Sequence, residues 1–211
     1  MGSYFIFRSL SNSTKNNTPN LNSLLKEILV GVLLGDGWLD KQKVNARFRF
    51  EQSDLHKEFF FYLYEFFSVY CQSAPKLRER LDKRTNKVYF TWHFSTKSYP
   101  MFTKMYNLFY IKNKKVVPAN IIELIGPATL AFWIMCDGWK HNKGVTIATN
   151  AFSDAENELL INALNKKFAL NCRLIRDHKY PSIHIPYSQM SNLQNLVLPY
   201  MHQSLLYKIY L

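Results

Sequence analysis

Acidic residues are scarce in this chain. Fifteen aspartates and glutamates stand against 27 lysines and arginines, for a formal net charge of +12. An excess of that size exceeds what solubility needs and points to a polyanionic partner, either nucleic acid or an anionic surface. Long apolar runs are missing too. No stretch of about 18 apolar residues occurs, so no membrane-spanning helix is expected. Residues 4–7 are apolar, but too few for the core of a secretion signal. Cysteine is limited to Cys71, Cys136 and Cys172, widely spaced and without a CxxC pair. That argues against a zinc module or a secreted disulfide framework. It favours reduced, buried thiols in an intracellular or organellar protein. Apolar and aromatic residues are plentiful, 47% and 16% of the chain, enough for a packed core. Heavy use of Asn, Lys, Ile, Tyr and Phe is that of an AT-rich coding sequence, which favours an organelle genome.

The chain repeats itself. Residues 28–38 read Ile-Leu-Val-Gly-Val-Leu-Leu-Gly-Asp-Gly-Trp, and residues 129–139 read Thr-Leu-Ala-Phe-Trp-Ile-Met-Cys-Asp-Gly-Trp. Each is an apolar segment ending in Asp-Gly-Trp. About one hundred residues separate Asp36 from Asp137, Ser53-Asp54 from Ser153-Asp154, and Cys71 from Cys172. Three landmarks in one order at one offset indicate two copies of an α+β unit. The expected divisions are a loose arm over 1–20, a first unit over 21–111, a linker over 112–120 with Pro118 as breaker, and a second unit over 121–211. Each unit opens with the apolar helix. A strand follows, 46–52 or 145–150, then a long helix with Ser53 or Ser153 at its N-cap. Glu156 completes a capping box with Ser153. A hairpin comes next, with arms 76–81 and 87–95 in the first unit and 172–177 and 182–186 in the second. A last helix covers 98–110 or 188–198.

Alternation along a strand separates two faces. Phe48, Phe50, Phe90, Trp92, Ile183 and Ile185 are expected inward, under covering helices. The outward face of the first unit would carry Arg47, Arg49 and Glu51, then Lys76, Arg78 and Arg80, then Tyr89, Thr91 and His93, with Lys83, Arg84 and Lys87 at the hairpin tip. The second unit offers Lys140, Lys143, Thr146, Arg173, Arg176, His178, Lys179, Tyr180, Ser182 and His184. A two-stranded ribbon fits the major groove, and such side chains bond phosphates and base edges. His141, His178 and His184 have no ligand-spaced partner and read as DNA contacts, not metal ligands.

The Asp-Gly endings carry the chemistry. An aspartate at a helix C-terminus faces the negative end of the macrodipole, at a cost of roughly 0.3–1 kcal/mol. An anion placed there twice calls for a compensating cation. Gly31 and Gly35 lie on one helical face and permit a close helix crossing. A pseudo-two-fold crossing would bring both Asp-Gly ends side by side, sharing metals beneath the basic strands.

Over residues 21–210 the chain resembles the LAGLIDADG homing endonucleases, in the single-chain, two-motif form encoded in fungal mitochondrial introns. Residues 29–37 and 130–138 carry the resemblance, supported by Arg49-Phe-Glu-Gln-Ser53, Asn113-Lys-Lys-Val-Val-Pro118 and Tyr207-Lys208. It implies an α+β fold of two pseudo-symmetric αββαββα units, with the motif helices at the interface and antiparallel sheets forming a DNA-binding saddle. It implies Asp36 and Asp137 as catalytic acids that bind Mg²⁺, for which Mn²⁺ or Ca²⁺ can substitute in binding. The backbone carbonyls of Gly35 and Cys136 would complete the metal ligands. Lys115, Lys208, Glu51 and Asn150, with Asp177 as another candidate, would assist at the centre. The implied partner is a DNA duplex of about 20 base pairs, gripped largely through its phosphates and cut with short 3′ overhangs. A monomer in a mitochondrion or other organelle is implied, with the host intron RNA as a further partner. A maturase role or a non-catalytic DNA-binding role would use the same fold. Phe132 and Cys136 depart from the family pattern, which has a small residue at the first position and often a small or acidic one at the second.

Overall fold

The computed structural model describes residues 20–177 and 180–211. The expected arm at 1–19, and His178 and Lys179, lie outside the described residues. Helix α1 (Ser23–Leu34) leads into strands β1 (Trp38–Lys41) and β2 (Ala46–Ser53), helix α2 (Lys57–Phe67), strands β3 (Lys76–Asp82) and β4 (Lys87–Ser95), and helix α3 (Pro100–Phe109). A small hairpin, β5 (Tyr110–Ile111) and β6 (Lys114–Lys115), and helix α4 (Ile121–Leu124) connect to the second set. That set is α5 (Pro127–Asp137), β7 (Gly138–His141), β8 (Gly144–Ala148), α6 (Asp154–Phe168), β9 (Arg173–Asp177), β10 (Tyr180–Ile185) and α7 (Met190–Val197), followed by a 3₁₀ segment Gln203–Ile209. The two four-stranded sheets share one order, β1-β2-β4-β3 and β7-β8-β10-β9, antiparallel throughout. The αββαββα plan is therefore present twice.

Local chemistry explains the element ends. Ser153 caps α6, its backbone N–H donating to Glu156 Oε2 at 2.7 Å in a reciprocal capping box. Ser53 instead opens a 3₁₀ turn, Asp54–His56, ahead of α2. Residues 112–115, expected as open linker, form a tight hairpin. Lys112 and Asn113 both adopt positive φ, 49° and 65°, the pattern of a type I′ turn. Asn142 and Lys143 repeat it between β7 and β8, at 48° and 61°. Strand β8 ends at Ala148, so Asn150, expected on the strand, stands exposed in the following turn.

Both motif helices are apolar on nearly every side, and such helices are stable only when enclosed. From Ile28 through Leu34 every residue of α1 is buried, as is α5 from Ala128 through Met135. They pack against each other. A Cβ added at Gly31 would collide with the Thr129 carbonyl oxygen and stand 3.1 Å from Phe132 Cβ. The phenyl ring of Phe132, anomalous in the motif, turns away into an aromatic pocket on α2. It stacks on Tyr62 at 5.7 Å and 8°, with Phe66 edge-on at 5.8 Å and Phe59 at 6.3 Å. Glu27 of α1 also ties the units together. Its Oε2 accepts Ala128 N–H at 3.2 Å, and its backbone carbonyl accepts the Thr129 hydroxyl at 3.0 Å. The carboxylate thereby caps the positive end of α5.

Gly31→Ala should destabilise the protein by about 1–3 kcal/mol through overpacking at a backbone contact. A thermal melt should fall by several degrees. An unchanged melting temperature would contradict the close crossing.

Candidate functional site

The crossing delivers both motif carboxylates to one place. Asp36 follows the C-cap Gly35 of α1, and Asp137 is the last residue of α5. A Cβ on Gly35 would stand 2.6 Å from Cys136 Cβ and 3.1 Å from Asp137 Oδ2. The end of one helix is thus in contact with the carboxylate of the other. Burial pushes the Asp137 carboxyl up to about 7. The neighbouring Asp36 carboxylate adds to this, and Lys208 and Lys115 oppose it. The same burial and the two carboxylates push the Cys136 thiol well above its ordinary range, so it stays protonated.

Lys115 and Lys208 satisfy the helix ends beneath the acids. Lys115 Nζ donates to the carbonyls of Gly35 at 3.2 Å and Gly37 at 2.7 Å. Lys208 Nζ donates to Ile134 at 3.3 Å, Met135 at 2.7 Å and Cys136 at 3.5 Å. Met135 and Cys136 are carbonyls that the end of α5 leaves unpaired, Gly35 is the C-cap of α1 with Gly37 just beyond it, and Ile134 also accepts the Gly138 backbone N–H. Burial holds both ammonium groups below their ordinary pKa, while Asp137, Cys136 and Asp36 pull them back up. The Gly35 and Cys136 carbonyls, expected as metal ligands, therefore each already accept one lysine N–H. The β5–β6 hairpin aims Lys115. Tyr110 Oη accepts Leu39 N–H at 3.0 Å, and Tyr106 Oη donates to Asn113 Oδ1 at 2.7 Å. The two tyrosine rings stack at 4.6 Å.

The strand residue that touches an acid is not Glu51. Arg78 NH1 lies 3.2 Å from Glu51 Oε2, and the Thr91 hydroxyl donates to Oε1 at 2.9 Å, so Glu51 belongs to the outward network. Its neighbour Gln52 donates Nε2 to Asp36 Oδ2 at 3.0 Å. The acids sit at the level of the helices, below the sheet, so the inward parity of β2 reaches them. The sequence signal was the strand's last inward position being polar after Phe48 and Phe50. Asn150 does not take the corresponding place. Trp38 opposes Arg49 and Trp139 opposes Thr146, so three residues further on Gln52 corresponds to Thr149. The Thr149 hydroxyl donates to the Pro181 carbonyl at 3.2 Å.

The outward face of the first sheet is as cationic as expected. Lys76, Arg78, Arg80, Lys83, Arg84, Lys87 and Tyr89 are exposed, while Thr91 and His93 are half-buried on the same face. Arg47 and Arg49 are anchored by Asp40 at 2.7 and 3.5 Å, and Arg49 lies over the Trp38 ring at 5.3 Å. Phe90, expected inward, is 42% exposed; α2 reaches only as far as Trp92, against which Phe61 packs at 5.0 Å. In the second sheet Lys140, Lys143, Arg173 and Tyr180 are exposed. Arg176 is on the other face. It pairs with Pro181 across the ladder and bonds Asp154 at the start of α6, at 2.8 Å. Its parity differs from that of Arg173. Thr146, Ser182 and His184 keep the outward parity but are buried, at 0%, 8% and 2% exposure. Thr146 and His184 are cross-strand partners joined by a 3.0 Å hydrogen bond, which satisfies both on burial. Burial, with Arg173 and His141 nearby, pulls the His184 pKa down, so it is a neutral side chain and no phosphate cation.

The family model described as the LAGLIDADG DNA endonuclease family matches residues 26–193. A probable intron-encoded endonuclease 1 from Wickerhamomyces canadensis is 33% identical over 203 residues, covering 92% of this chain and 87% of the relative. The cytochrome b mRNA maturase bI2 of Saccharomyces cerevisiae is 30% identical over 222 residues. That match takes in 98% of this chain but 52% of the maturase, so the chain spans about half of that relative. The solved structure of the homing endonuclease I-WcaI bound to its DNA recognition sequence superposes with a TM-score of 0.84 at 29% identity, covering 95% of each chain. With its doubled motif, its paired sheets and these matches, the chain belongs to the LAGLIDADG DNA endonuclease family.

Proposed function

We propose that this protein is a site-specific homing endonuclease that makes a metal-dependent double-strand break in a long DNA target. The observation that carries the reading is the meeting of Asp36 and Asp137 at the ends of two touching helices. The donor set fits a hard divalent cation. Two adjacent carboxylates, one of them pushed toward neutrality by burial and by its neighbour, form a site that Lys208 and Lys115 do not fully offset. Among the described residues no cluster of three His, Cys, Asp or Glu side chains occurs. A pair of carboxylates suits Mg²⁺, which keeps several waters and takes few carboxylates, and Mn²⁺ or Ca²⁺ by substitution. Asp36 and Asp137 would hold the metal, with the free lone pairs of the Gly35 and Cys136 carbonyls nearby. A metal so held would supply Lewis acidity to the attacking water and the leaving oxygen. Lys115 and Lys208 hold the two helix ends in place and offset phosphate charge. Gln52 orients Asp36. The exposed lysines and arginines of β3, β4, β7 and β9 grip the phosphates of a duplex of about 20 base pairs, and Tyr89, Thr91 and Tyr180 face the bases. We further propose a monomer acting in a mitochondrion or other organelle, leaving short 3′ overhangs.

A second reading is RNA maturation, favoured by the similarity to a cytochrome b mRNA maturase. It does not require both acids. Cleavage with Mg²⁺ from a randomised duplex library separates the two. The wild type should cut a discrete site, and Asp36→Asn or Asp137→Asn should lose the double-strand break by at least about a hundredfold, the scale of a lost electrostatic contact in catalysis. Tight RNA binding with no DNA cut under any divalent cation would instead establish the maturase reading.

Affinity for the selected duplex should fall by roughly three to five orders of magnitude between about 50 and 200 mM salt, as expected for six to ten phosphate contacts. A flat response would remove the strand cations from the interface.

In EDTA, Asp137→Asn should raise thermal stability at pH 8. The native Asp137 carboxyl holds its proton to about 7, whereas in the unfolded chain it ionises near the ordinary 3.8, so the fold loses stability as pH rises through that window. The advantage of the variant should vanish as pH falls toward 4. Melting curves of both proteins across pH 4–8 measure it.

A further inference from the structure

Resting on the nuclease reading, we infer that the two halves of the centre are unequal, and that the Asp36 half, with Gln52 as its positioning residue, cuts its strand first. Three differences between related positions carry this.

The first is the amide. Gln52 Oε1 accepts the Ser53 backbone N–H at 2.9 Å. That fixes which end of the amide is which, so the group facing Asp36 Oδ2 is the donor Nε2, at 3.0 Å. An exposed carboxylate is thereby held in one orientation. The corresponding residue of the second half is Thr149, 1% exposed, with its hydroxyl committed to the Pro181 carbonyl. The second difference is the lysine. An ammonium has three N–H donors. Lys208 is 9% exposed and directs them at three carbonyls. Lys115 is half-buried and donates to two. One N–H of Lys115 is left for a water or a phosphate oxygen. The third is access, since Asp36 is exposed and Asp137 half-buried.

The reaction is the same on both strands. The oxygen of a water bonds to phosphorus, and the bond from phosphorus to one sugar oxygen breaks. That oxygen leaves as a hydroxyl, its proton balanced through solvent by one from the attacking water. The asymmetry changes only how readily each half reaches this step.

The test is a single-turnover cleavage of the library-selected duplex with Mg²⁺, each strand carrying its own fluorophore. The wild type should cut one strand ahead of the other by about fivefold or more, the worth of one net hydrogen bond. Gln52→Thr, which copies the second half, should slow the leading strand by that factor and bring the ratio near one. Melting temperature and duplex affinity of Gln52→Thr in EDTA should match the wild type within about twofold in affinity, the scatter of a surface substitution. Equal strand rates in the wild type would overturn the inference alone, as would a Gln52→Thr variant that slows both strands alike or loses metal-free binding. Failure to cut either strand would overturn the nuclease reading and this inference together.

Discussion

The crossing of two apolar helices at glycine sets almost everything else in this protein. Gly31 brings α1 against the backbone of α5 at Thr129, and Gly35 brings its end against Cys136 and Asp137. Helices with larger residues there would separate, and their C-termini would separate with them. Close packing buries the interface fully, so the same contact that joins the two units also fixes where both carboxylates emerge. Stability and chemistry share one set of atoms.

That arrangement is electrostatically unfavourable by itself. Two carboxylates meet at the negative ends of two helices, partly out of water. The chain relieves the strain with Lys115 and Lys208, drawn from remote segments, each bonded to carbonyls at the end of its helix or just beyond it. The lysines do not neutralise the acids outright, and the Asp137 carboxyl remains pushed up. The remaining deficit of positive charge is what a divalent ion supplies. Beyond the centre, the sheets spread cationic side chains along their outward faces, more fully in the first unit than in the second, where a buried Thr146–His184 pair occupies the corresponding floor.

Much of this was legible in the sequence because hydrophobic patterning reports enclosure directly. The doubled apolar segment located both buried helices, and Asp-Gly marked where each stopped. Ser153 and Glu156 announced their capping box, and Phe48 and Phe50 gave the inward face of β2. Other features depended on geometry that no local pattern carries. The resemblance points to Glu51, but its neighbour Gln52, on the inward parity of β2, is the strand residue that meets Asp36, because the acids lie on the helix side of the sheet. Arg176 and Arg173 are both cations of one arm, but their odd spacing places them on opposite faces, and Asp154 takes Arg176. Phe90 follows the inward alternation yet is exposed, because alternation cannot tell where a covering helix ends. His184 shares the outward parity with Thr146, 38 residues away, but alternation does not reveal that the two bond to each other in a buried pair. The carbonyl acceptors of the two lysines needed the tertiary structure, as did the hairpin that replaces an expected linker.

The central claim is that Asp36 and Asp137 form one metal centre. It is tested most directly by crystallising the protein with its duplex and Mn²⁺ and locating the metal by anomalous scattering. The account predicts anomalous density within coordinating distance of both carboxylates, against the phosphates of the cut site. Density at neither carboxylate, or carboxylates turned apart with the metal bound elsewhere, would contradict it.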